Sequence, residues 1–175
     1  MSEAPARGAP RLGLRFGLGF PLVAASLLGA LLFVGPVVAT RERVVDGTVT
    51  AATVLMPLVG YEVRRDARDP RVLRAADGHG VRIAPECDGL PAVLIFLAAV
   101  TVSPVPWRRR FLFGALGSLA LLLLNQVRIG HLLWLSDRAP DAFHDAHEAW
   151  WPTGLVAAAG LLFLVWARRS ASART

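Results

Sequence analysis

Long uncharged apolar runs alternate with short clusters of arginine along this chain. The first run, Gly17 to Ala39, carries no charge over about 23 residues, enough for a helix to cross a bilayer core. It is too long for a signal peptide and has no A-x-A-like exit before Thr40. The second run, Leu90 to Pro106, is shorter, with Pro91, Pro104 and Pro106 marking its ends. The third, Phe111 to Leu135, is interrupted by Asn125 and Arg128, and the fourth extends from about His147 to Ala167. The pattern predicts an all-α, polytopic membrane helix bundle with about four transmembrane helices.

Between the first two runs lies a polar segment, Thr40 to Glu86, that predicts a small extracytoplasmic cap. Within it, Val44 to Val59 is apolar with Thr and Ala, and reads as a helix lying on the membrane or extending the first span. Tyr61 to Val63 and Val81 to Ile83 read as short strands flanking an arginine-rich turn that contains Asp77-Gly78.

Composition strengthens the membrane reading. Apolar residues make up 54% of the chain and charged residues only 18%, too little polar surface to cover a soluble domain of this size. The net charge of +6 comes from arginine alone. A basic excess can signal nucleic acid, but here the charges sit between spans, which points to topology and away from nucleic acid. Arg7, Arg11 and Arg15, then Arg108 to Arg110, then Arg168, Arg169 and Arg174 fall on one side of a four-span layout, the cytoplasmic side. The outer segment also carries eight arginines, interspersed with seven acids. The expected organisation is therefore a cytoplasmic tail over residues 1–16, a membrane domain over 17–167 with its outer loop at 40–86, and a cytoplasmic tail over 168–175. The expected location is the inner (cytoplasmic) membrane, multi-pass. The single cysteine excludes an internal disulfide and leaves one thiol to explain.

Depth along the helices brings three polar residues together. At 1.5 Å per residue, Arg108 back to Cys87 is about 31 Å, Arg110 to Arg128 about 27 Å, and Arg168 back to His147 about 31 Å. Against a core about 30 Å thick, all three residues fall near the outer interface. They are the parts of a thiol nucleophile, an oxyanion partner and a general acid/base. Each has a plainer reading. Cys87 alone is a small buried residue, Arg128 a lipid anchor that snorkels, and His147 an interfacial neighbour of the Trp150-Trp151 belt. Intramembrane charge is costly, and Arg128 shares a helical face with Asn125, which favours function for Arg128. His144, one turn from His147, competes for its role, whereas His131 reads as interfacial and His79 as solvated.

Around the cysteine the chain reads Pro85-Glu86-Cys87-Asp88-Gly89-Leu90. Next comes Asn125-Gln126-Val127-Arg128-Ile129, then Asp145-Ala146-His147 with Trp151 four residues on. This order resembles the exosortase/archaeosortase family of membrane-embedded cysteine transpeptidases, and in length its compact members such as exosortase H. The likeness covers roughly Pro85 to Trp151. It departs at Asp88, where the family commonly has Ser or Thr. An acid beside the thiol disfavours the thiolate, whereas Asp88 as a cap would leave a helix N-terminus that favours it. Phe143-His144 offers a second match to the family histidine, but Trp151 and Asp145-Ala146 favour His147.

The resemblance implies cleavage of C-terminal sorting signals of exported proteins at the outer face of the membrane. Cys87 would be the nucleophile, Arg128 the oxyanion donor and His147 the acid/base. The partners implied are exported proteins and membrane lipid, and no cofactor or metal is needed. Two other readings stay open. His144, His147 and Glu148 with Cys87 could form a zinc site, since His-x-x-His places both rings on one helical face. Alternatively the polar residues only lock helices together in a non-catalytic scaffold.

Overall fold

The computed structural model describes residues 10–33 and 35–172. The outer ends of both expected tails, residues 1–9 and 173–175, lie outside the described residues. The chain is mostly helical, with one small sheet. Helix α1 (Pro10–Phe33) starts inside the stretch expected to be a tail, and α2 (Gly35–Leu58) covers much of the expected outer loop. Residues Arg41 to Asp46 interrupt the apolar pattern without breaking this helix. Val45, Val49, Ala52 and Met56 recur at helical spacing and are all buried. The helix ends on Gly60 with φ 81°, which lets Gly60 N–H reach Pro57 O and Tyr61 N–H reach Met56 O.

Strands β1 (Val63–Arg65), β2 (Val72–Ala75) and β3 (Gly80–Arg82) follow as an antiparallel meander. The expected outer strands are displaced by a residue or two, and the expected arginine-rich turn contains the central strand. Its alternation explains this, because Leu73 and Ala75 are buried while Arg74 between them is exposed. Val63, Leu73, Ala75, Val81 and Ile83 form one core with the inner face of α2 and with Ile129 and Leu133. On the rim, Arg71 pairs with Glu42 and Asp46 of α2, and Arg74 pairs with Asp66.

A 3-10 turn (Pro85–Cys87) leads into α3 (Leu90–Thr101). This helix has 12 residues, about 18 Å of rise, so it is shorter than the run Leu90 to Pro106 expected to span. Pro104 and Pro106 explain the difference, because proline removes backbone donors and disfavours helix before it. In contrast α4 (Trp107–Arg138) has 32 residues, about 48 Å, and projects well beyond a bilayer core. The last helical stretch begins seven residues before His147, as α5 (Pro140–Asp145). It passes through a π-turn (Ala146–Trp150) into α6 (Trp151–Ser172).

Trp107–Arg138 and Pro140–Ser170 are long and apolar enough to cross a membrane, and Gly17–Ala30 and Leu90–Thr101 are shorter apolar helices. Only 33% and 17% of the apolar windows of the two long ones are buried, unlike the core helices of a soluble protein. Between them and α3 the packing is close. Gly117 gives its side-chain space to the Phe96 ring, and Phe113 stacks on Trp166 at 4.7 Å.

Candidate active site

Cys87 sits at the end of the 3-10 turn, where its segment passes from the sheet into α3. Three side chains hold that segment. Asn125 of α4 donates Nδ2 to the Cys87 carbonyl at 2.9 Å. Arg41 of α2 donates Nη2 to the Pro85 carbonyl at 2.7 Å and Nε to Asp88 Oδ2 at 2.9 Å. Asp88, wholly buried, uses its other oxygen to accept the Leu90 N–H at 2.8 Å. Asp88 thus caps the first turn of α3, and its charge faces the Arg41 guanidinium. The opposing effect expected of an acid beside the thiol is met by a cation from α2.

Gly89 completes the turn for two reasons. Its φ is 76°, and a Cβ there would lie 2.9 Å from Asn125 Cγ. The Cys-x-Gly element and the Asn of the Asn-x-x-Arg element are therefore in direct contact, each shaped for the other.

One turn beyond Asn125, Arg128 points into the protein and is only 3% exposed. Its Nη2 lies 4.0 Å from Cys87 Sγ and donates to the His147 carbonyl at 3.5 Å. His147 Nε2 lies 3.3 Å from Cys87 Sγ. Phe143 stacks flat on the His147 ring, with centroids 5.8 Å apart and planes within 3°. Cys87, Arg128 and His147 thus converge from three segments remote in sequence.

The π-turn accounts for the position of the His147 carbonyl. In such a turn each N–H reaches back five residues, and Trp151 N–H bonds Ala146 O. The next residue, Pro152, has no N–H to bring to the His147 carbonyl. The Arg128 guanidinium donates there instead.

The four residues of the zinc reading do not converge. His144 faces Glu148 at 3.2 Å on the exposed surface, while His147 faces Cys87. Among the described residues, Asp77, His79 and Asp137 are the group whose ligand atoms come together, out on the cap. His131 accepts Trp151 Nε1–H at 3.0 Å towards the C-terminal end of α4.

Residues 12–167, which include every side chain of this site, match the family described as transmembrane exosortase. The chain belongs to the transmembrane exosortase family. Comparison with curated proteins and with solved structures gives no match. Exosortases are cysteine-peptidase-like transpeptidases of the membrane, and they act on exported proteins with C-terminal sorting signals. Two parts of this exosortase's site carry no mark in the sequence. Arg41 is one of eight arginines in a charged stretch, and nothing local marks it. Pro152 looks like an ordinary first-turn proline. Asn125 is marked by the Asn-x-x-Arg pattern, but its bond to the Cys87 carbonyl depends on tertiary contact.

Proposed function

We propose that this exosortase is a cysteine transpeptidase that cuts C-terminal sorting signals near the outer face of the inner membrane. The observation that carries the reading is the partly buried contact of Cys87 Sγ with His147 Nε2 at 3.3 Å, with Arg128 Nη2 4.0 Å from the same sulfur. In the first step His147 takes the thiol proton and Sγ adds to the scissile carbonyl carbon. The carbonyl oxygen becomes an oxyanion facing Arg128. His147 returns the proton to the leaving nitrogen, the C–N bond breaks, and a thioester remains. In the second step a hydroxyl, amine or water of the acceptor gives its proton to His147 and adds to the thioester. The S–C bond then breaks and the thiol is restored.

Depth fits this chemistry. From Arg110 to Asn125 is about 22 Å of helix, and to Arg128 about 27 Å. Side chains on a helix lean towards its N-terminus, so the Arg128 guanidinium reaches down towards Cys87. With the arginine clusters in the cytoplasm, the reacting atoms lie a few ångströms beneath the outer headgroups of a core about 30 Å thick. Four spans, both ends cytoplasmic and residues 40–86 outside complete the reading. A reporter active only in the cytoplasm, fused at the C-terminus, should be active, and a silent, well-expressed fusion would reverse the topology.

The test of the chemistry is Arg128→Lys, which keeps the charge and loses the planar fork. Substrate cleavage in cells at matched membrane levels should fall by about 10²–10³. A lipid anchor predicts otherwise, because lysine snorkels as well as arginine. Near-normal cleavage by the lysine variant would remove Arg128 from the mechanism.

A further inference from the structure

On the cap side Cys87 is packed into the core of α2 and the sheet, and it is only 2% exposed. On the membrane side a crevice of about 90 Å³ runs between the first turns of α3 and α6. Pro91 and Ala92 form one wall, and Pro152, Leu155 and Val156 the other. Arg128, buried and cationic, lines it too, as does Gly89 two residues from the thiol. Arg128 is thus shared by the crevice and the reacting group, with its Nη2 4.0 Å from Cys87 Sγ.

We propose that this crevice is the subsite for the side chain of the residue whose carbonyl Cys87 attacks, and that it admits only a small apolar side chain. The inference rests on the transpeptidase reading. Attack places the scissile carbonyl carbon at Sγ and its oxygen towards Arg128. The residue bearing that carbonyl then stands beside Arg128, and its side chain meets the lining that Arg128 shares. Size follows from volume: an apolar cavity of about 150 Å³ holds the six heavy atoms of benzene, so about 90 Å³ holds a side chain of roughly three or four.

Polarity follows from the two prolines. The first turn of a helix ordinarily presents unpaired N–H groups to whatever lies beside it. Pro91 removes one of these donors at the start of α3, and Pro152, just past the π-turn of the continuous last helix, brings no N–H to the crevice either. A neutral polar side chain entering between them meets proline rings and the apolar side chains of Leu155 and Val156, and loses water without gaining partners there, while an anionic one would pair with Arg128 and take it from the oxyanion. Arg128 lies next to the oxyanion position, where the substrate carbonyl occupies it.

The experiment uses the full-length exosortase co-expressed with an exported substrate. Mass spectrometry of the released product first identifies the residue on the acyl side of the cut. That position is then varied through Gly, Ala, Val, Leu, Phe and Asp. Gly, Ala and Val should be cleaved at comparable rates, and Leu, Phe and Asp at least about tenfold more slowly. Ala92→Leu fills the crevice and should slow the Val substrate relative to Gly. Leu155→Ala enlarges it and should raise the Leu-to-Ala cleavage ratio, a ratio that does not depend on how much protein folds. Cleavage that is indifferent to side-chain size and to both variants overturns the subsite while leaving the transpeptidase reading intact. Absence of cleavage across the whole series by the wild-type protein removes that reading and the subsite with it.

Discussion

In the cap, α2 turns Val45, Val49, Ala52 and Met56 inward and leaves Arg43, Asp46 and Thr50 outside. In the bundle, α4 turns Gly114, Gly117, Asn125 and Arg128 inward and leaves Phe111, Leu112, Leu116, Leu119 and Leu123 outside. The first helix packs its inner face by apolar burial and leaves Val54 and Leu58 exposed as well. The second follows the rule of a protein in lipid, where the surroundings are as apolar as leucine and association depends on small residues, close fit and internal hydrogen bonds. The candidate site lies on the seam. Cys87 belongs to the cap core, Arg128 and Asn125 come from the bundle helix, and Arg41 of α2 reaches across to Asp88. A nucleophile held from both sides is positioned by two kinds of packing at once.

The largest expected effect is at the seam itself. Arg41→Ala strips the guanidinium from a fully buried carboxylate, which costs about 3–5 kcal/mol for such pairs. Thermal unfolding in detergent should show it, and the neutral pair Arg41→Gln with Asp88→Asn should recover most of the loss. No recovery would mean that the charge pair is not what joins cap to bundle.

A single acidic substitution should separate the two surfaces. Leu119→Asp on the outward face of α4 should cost about 2.5–3.5 kcal/mol of insertion if that face meets lipid. Arg64→Asp on the exposed face of β1 should stay within about 0.5 kcal/mol. Equal effects on membrane-inserted yield would erase the distinction between the regions.

The same change, glycine to alanine, should carry opposite signs in the two regions. A Cβ on Gly117 overlaps the Phe96 ring, so Gly117→Ala should destabilise by about 1–3 kcal/mol. Gly47 lies within α2 with open space beside it, so Gly47→Ala should stabilise by about 0.4–1 kcal/mol. Paired unfolding curves check both.

The smallest effect is a pH dependence confined to the cap. The Arg74 side chain and the N–H groups of Arg68 and Asp69 hold the Asp66 carboxyl down from 3.8 to about 2. A lowered carboxyl stabilises the folded state above its unfolded value and ceases to do so as pH falls through its folded value. The turn before β2 should therefore loosen between pH 3.8 and about 2, seen as faster amide exchange at Arg68 and Asp69. Asp66→Asn should remove that step.

Much of this molecule was legible in the sequence where a rule of cost applied. Charge inside a membrane is expensive, so Arg128 stands out in the sequence, whereas the depth count for Cys87 assumes a continuous helix back from Arg108 that the short α3 and the 3-10 turn do not provide. Elements that depend on tertiary contact were less legible. The helix expected over Val44 to Val59 is present in α2, but Arg41 to Asp46 hide its continuation back to Gly35, because the buried stripe is indifferent to the charges on the other side. The arginines around Leu73 disguised β2 as a turn. The composition of Val102 to Pro106 matched a span, while its prolines end α3 early. The π-turn at His147 arises from Trp151 bonding Ala146 with Pro152 behind it, a backbone choice with no signature in hydropathy.

The most direct measurement is the chemical state of Cys87 during turnover. Membranes from cells co-expressing the exosortase and an exported protein with a C-terminal sorting signal are digested and analysed by mass spectrometry. An acyl adduct on Cys87 is expected, released by hydroxylamine and matching the new C-terminus of the substrate, with cleavage abolished in Cys87→Ala. Continued cleavage by Cys87→Ala, or substrate turnover with Cys87 never acylated, would contradict it.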